Sequence, residues 1–158
     1  MDKESKTVRI AAETKDWIDE LILIEQTKLN EKIRNGLIHC LEDKLLQDFT
    51  EDLLGTSLNI TLNITVGSVI EKAYFVTKKY SIPEWDRLAK SLKELESNLN
   101  KDRKGATPRI HLDVEVLKGL EAYQKKFMKL NSFAGAKRGV NLGYVIKLVV
   151  FAYWKKTK

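Results

Sequence analysis

One stretch of this 158-residue chain constrains its fold more than any other: TPRIHLDVEVLKGLE, beginning at Thr107. It opens with the alternation of a strand and passes into a helical pattern with no turn signal between. A lone strand cannot satisfy its own backbone donors and acceptors. Its partner must come from elsewhere in the chain or from another chain.

The N-terminus supplies a candidate. TVRIAAETKDWIDELILIEQTKLN, from Thr7, and TPRIHLDVEVLKGLEAYQKKFMKLN, from Thr107, both begin T-x-R-I, continue as an amphipathic helix and end K-L-N. A second pair follows: TVGSVIEKAYFVTKKY from Thr65 and NLGYVIKLVVFAYWKK from Asn141. Gly67 aligns with Gly143, Val69 with Val145, Ile70 with Ile146 and Phe75 with Phe151. Each of these segments starts with a helix N-cap residue, Thr65 or Asn141, and runs on as an apolar helix. The order strand, helix, gap, capped apolar helix therefore occurs twice.

The gap differs between the copies. In the second it is SFAGAKRGV; in the first it spans about residues 31–64. That insert predicts a helix with Ile33, Leu37, Leu41, Leu45 and Phe49 on one face, then a strand or extended loop at TSLNITLNI. Cys40 falls on the same apolar face and reads as a small core residue. A competing division makes residues 30–49 the second helix of the first copy and 56–80 the insertion; the repeat favours the first division. The domains are then 1–80, a connector at 81–106 and 107–158. The connector starts with the capping box Ser81/Glu84 and Pro83. Its apolar residues, Trp85 to Leu99, predict a helix packed on a domain rather than a coiled coil, and NKDRKGA predicts a flexible joint.

Charge is unevenly spread. Residues 1–80 hold 11 Lys/Arg against 14 Asp/Glu, net −3; residues 81–158 hold 17 against 8, net +9. A basic half favours a polyanion partner, and the acidic half leaves room for a protein partner. No run approaches the roughly 18 apolar residues of a membrane span, and the charged start is unlike a secretion signal. A single cysteine suits an intracellular protein, so a cytoplasmic location and no membrane association are expected. The histidines, His39 and His111, sit in different copies, and neither a metal-spaced Cys/His cluster nor a nucleotide-binding glycine loop is present. No enzymatic activity and no cofactor are expected. Tyr144, Phe151, Tyr153 and Trp154 read as core or interface aromatics on an apolar helix.

A unit of strand, helix and helix is too small to bury its own core. Pairing two copies solves this, with the strands in an antiparallel ribbon over four helices. The segments RIHLDVEVLKGLE and GVNLGYVIKLVVFAYWKK resemble the ribbon-helix-helix (Arc/MetJ/CopG) superfamily of DNA-binding proteins. Two copies in one chain also resemble relaxosome accessory proteins of conjugative plasmids and tandem regulators of archaeal filamentous viruses (AvtR-like). The resemblance implies a mainly α fold with short β ribbons, a tandem ribbon-helix-helix whose first copy carries a helical insertion. It implies double-stranded DNA as partner, and host cytoplasm for a viral protein.

A two-stranded ribbon fits the major groove. Alternation turns Ile110 and Leu112 inward and Thr107, Arg109 and His111 outward; in the first copy Val8 and Ile10 turn inward, Thr7 and Arg9 outward. Arginine is the natural bidentate partner of guanine, so these outward residues are the candidate base contacts. Phosphates suit helix N-termini: Asn141, Leu142 and Gly143, with Lys137 and Arg138 just before them, and Thr65, Val66 and Gly67 in the first copy. Pro108 is tolerable in the ribbon where its missing N–H faces away from the partner strand. The first copy lacks the Lys-Arg pair, which points it toward ribbon pairing or protein contacts. An insert in only one copy argues sterically for like-with-like pairing between chains, giving a homodimer about a twofold axis.

Overall fold

A computed structural model describes residues 2–130 and 140–158 of the chain. Lys137 and Arg138 lie outside the described residues. The elements are β1 (Lys3–Thr7), α1 (Ala12–Arg34), α2 (Leu37–Asp48), α3 (Val66–Thr77), α4 (Ile82–Glu96), β2 (Arg109–Asp113), α5 (Val114–Lys126), a 3-10 turn (Phe127–Lys129) and α6 (Leu142–Thr157). Among the described residues the protein is mainly helical, with one two-stranded antiparallel sheet. The chain divides into two units: a body, residues 1–21 and 65–158, and an arm, residues 22–64.

The orphan strand of the opening stretch finds its partner within the chain. β1 pairs with β2 from Lys3 opposite Asp113 to Thr7 opposite Arg109. The pairing resumes at Ile10 and Ala106, which exchange both backbone hydrogen bonds at 2.8 and 2.9 Å. Between them stands Pro108. Its carbonyl accepts from the Val8 N–H at 3.2 Å, but it has no N–H to return. The missing donor therefore faces the partner strand, contrary to expectation, and the ladder is broken there. The expected strand pairing between chains is likewise replaced by pairing inside one chain.

β2 passes straight into α5 because Asp113 serves both elements. It closes the ribbon opposite Lys3, and its side chain accepts from the Glu115 N–H at 2.9 Å as the helix N-cap. The inner ribbon face, Val8, Ile10, Ile110 and Leu112, is buried. Beneath it α3 and α6 pack together, α5 packs on α6 and the ribbon, and α4 packs on α6. α6 buries Val145, Ile146 and every residue from Leu148 to Tyr153, the mark of a helix surrounded by protein. An aromatic cluster joins α4 to α5: the Trp85 ring lies 5.0 Å from Phe127 and 5.7 Å from Tyr123. The connector is thus a packed helix, with Trp85, Ala89 and Leu92 buried. The expected flexible joint after it is tied down by Arg103, which donates twice to Asp16, and by the Ala106 bridge.

The arm holds the rest of α1, then α2 and an extended segment. The expected insert helix is interrupted at Gly36, whose φ of 99° lies in the left-handed region that favours glycine. α1 therefore runs through the K-L-N triplet to Arg34, and the apolar stripe is shared by two helices. No strand is assigned at 56–64. Leu58, Ile60, Leu62 and Ile64 are half-buried while Asn59, Thr61 and Asn63 are exposed, so the alternation is real but has no β partner. Cys40 is exposed and is not a core residue. No apolar side chain of the arm belongs to the buried core. α3 packs on α6 and β2 within the body, whereas residues 30–49 lie in the arm.

Candidate nucleic-acid interface

The outer face of the ribbon carries Ser5, Thr7 and Arg9 from one strand segment and Thr107, Arg109 and His111 from the other. All but the half-buried Ser5 are exposed. Thr7 stands opposite Arg109 and Ser5 opposite His111, with Ser5 Oγ and His111 Nδ1 2.8 Å apart. Among the described residues no ion pair holds Arg9 or Arg109. Two guanidiniums are thus displayed among small hydroxyls on a twisted two-stranded surface.

The repeat of the letters T-x-R-I misaligns these residues by two positions. The helices that follow the strands begin at Ala12 and Val114; the buried Val8 and Ile10 stand four and two residues before the one, as Ile110 and Leu112 do before the other. Counted from the helix starts, Ser5 corresponds to Thr107, Thr7 to Arg109, and Arg9 to His111. Arg9 and Arg109 are therefore not equivalent. Ser5 joins the outer row, a residue that the motif match overlooked; counting back from the first helix would have found it.

The two capped helices flank this row. Thr65 caps α3 by accepting from the Ser68 N–H at 3.1 Å, and Asn141 caps α6 by accepting from the Tyr144 N–H at 2.7 Å. Their glycines explain how they come so close. A Cβ on Gly67 would collide with the His111 carbonyl oxygen, and one on Gly143 with the Arg9 carbonyl oxygen. Each glycine seats a helix N-terminus on the ribbon backbone. Gly67 is buried, while Thr65 and Asn141 are exposed and Leu142 and Gly143 partly so. The helix N-termini thus lie beside the two ends of the outer row, at His111 and at Arg9.

Charge distinguishes these ends. Beyond Arg9 lies a cleft of about 650 Å³ lined in part by Lys93, Lys101 and Arg103. Its two glutamates share one lysine: Lys147 lies 2.7 Å from Glu13 and 3.4 Å from Glu96, so the four cations Arg9, Lys93, Lys101 and Arg103 outweigh the charge left over. Burial pushes the Glu13 carboxyl up, but the hydrogen bond and charge of Lys147 outweigh it and hold Glu13 below its usual value. The neighbouring Tyr144 is pushed up to about 12 by burial and by the charge of Glu96. The other end gathers Asp2, Glu4 and Asp113, with Glu71 held by Lys3 at 2.8 Å and by the Asp113 N–H at 2.7 Å. The aromatics Phe151 and Tyr153 are buried, and Trp154 donates from its ring nitrogen to Glu20 at 2.7 Å; Phe151 and Trp154 also border a cleft of about 370 Å³ with Leu95 and Lys155.

Comparison with protein-family models, with curated proteins and with solved structures gives no match. No helix among the described residues is long and apolar enough to cross a membrane.

Proposed function

We propose that the chain is a tandem ribbon-helix-helix protein, paired within itself, that binds double-stranded DNA sequence-specifically as a transcriptional regulator. The observation that carries this reading is the outer row of the ribbon with a capped helix N-terminus beside each end. Such a ribbon fits the major groove, where Arg reads guanine and Ser, Thr or His supply further hydrogen bonds. The helix N-termini at Thr65 and Asn141 suit phosphates on either side. The body's basic flank at Arg9 adds attraction for the backbone. The copies are then residues 1–80, interrupted by the arm, and 107–158.

Selection of bound duplexes from a random pool tests the reading, and failure to enrich any sequence overturns it. On the enriched duplex, Arg109→Ala is expected to weaken binding by about 1–3 kcal/mol and to leave binding to a scrambled duplex nearly unchanged. Equal loss on both would reassign Arg109 to phosphate contact. Replacing Lys137 and Arg138 together with Ala is expected to weaken all duplexes alike and to shallow the salt slope by up to about two.

A further inference from the structure

Four large apolar residues of the arm stand in solvent: Leu23, Leu46, Phe49 and Leu54, the last 82% exposed. α2 buries none of its residues although Leu37, Leu41 and Leu45 form a continuous stripe. A segment of this size cannot make a core alone; Leu46 and Phe49 stand three residues apart at the end of α2, and adjacent exposed apolar groups of this kind mark an interaction surface.

The charges say what covers it. α1 ends in an exposed basic run, Lys28, Lys32 and Arg34. The end of α2 is acidic, with a cleft of about 300 Å³ lined by Gln47, Asp48, Phe49, Thr50, Glu51 and Asp52. Its residue types suit a guanidinium: an aromatic ring for the stem and flat face, and carboxylates for the fork. Among the described residues, Arg34, Asp48, Glu51 and Asp52 have no ion-pair partner. The arm therefore carries both halves of a complementary contact and leaves them unjoined. A surface that holds a group and its complement at separate places closes on a second copy of itself about a twofold axis, making each contact twice.

We propose that the arm is a self-association surface, in which Arg34 of one copy enters the acidic cleft after α2 of a second copy while Leu46, Phe49 and Leu54 of both are covered. The inference does not depend on what the ribbon binds.

The test is the solution mass of the full chain over a range of concentrations. The wild type is expected at twice its 18.2 kDa, falling toward 18.2 kDa on dilution. Arg34→Glu sets two carboxylate groups against each other, and Asp48→Arg with Asp52→Arg sets guanidiniums against guanidiniums; each variant alone is expected to stay at 18.2 kDa. Mixed in equal amounts, they restore opposite charges at both contacts, and the mixture is expected to regain the doubled mass. That rescue also rules out misfolding as the reason for the single-variant loss. A wild type that stays monomeric throughout, variants that still dimerise, or a mixture that stays monomeric would each overturn the proposal. The first outcome would assign the arm to a different protein.

Discussion

α2 and α4 look alike on paper. Each carries an apolar stripe on a polar helix, yet α4 buries Trp85, Ala89 and Leu92 while α2 buries nothing. The difference lies in what stands opposite. α4 lies against α6, which is apolar nearly all round and can serve several neighbours at once. The arm contains no such helix. Periodicity reveals that a helix has an apolar face; it does not reveal whether the same chain covers it.

The comparison can be broken by substitution. The largest effect is expected from the body's core: Leu120→Ala should destabilise by about 2–5 kcal/mol, read from urea unfolding. Gly67→Ala should follow, at roughly 1–3 kcal/mol, because its Cβ meets a backbone carbonyl of the ribbon that cannot swing aside. In the arm, Leu41→Ala should cost less than about 1 kcal/mol when the protein is dilute, since the side chain is only half-buried. A loss as large as that of Leu120→Ala would show the arm to be as tightly packed as the body. The smallest effect concerns pH. Glu13 is held below its usual value, so its contribution is present above the unfolded carboxylate range and is lost as pH falls through the folded value. Lys147→Met should lower stability at neutral pH, and the gap to the wild type should narrow on acidification.

How far the sequence could be read follows the same division. β2 was evident because Ile110 and Leu112 alternate with polar residues and are buried. β1 was not, because Lys3–Thr7 contains no apolar residue; the expected strand started at Thr7, where β1 in fact ends. The T-x-R-I match pairs residues by letter, and so differs by two positions from a count back from the helix starts at Ala12 and Val114. Helices α3 and α6 were readable from their caps and the shared glycine. The reason for that glycine was not, since it depends on carbonyl oxygens of His111 and Arg9 far away in the chain. Ser5 was missed for want of an apolar neighbour, and the break at Gly36 because Asn35-Gly36 interrupts an otherwise continuous stripe. Cys40 lies on the apolar stripe and is nevertheless exposed, for the reason that holds throughout the arm: an apolar stripe is not by itself a core.

The closing of the ribbon inside one chain has a consequence for inheritance. In a reader made of two identical chains, one coding change alters both strands at once, and the two halves of the bound sequence must change together. Here Thr7 and Arg109 face each other across the ribbon but are encoded separately. A mutation in either leaves the other untouched. Each strand is free to drift on its own, and on the DNA-binding reading proposed above the two halves of the preferred site can change one at a time.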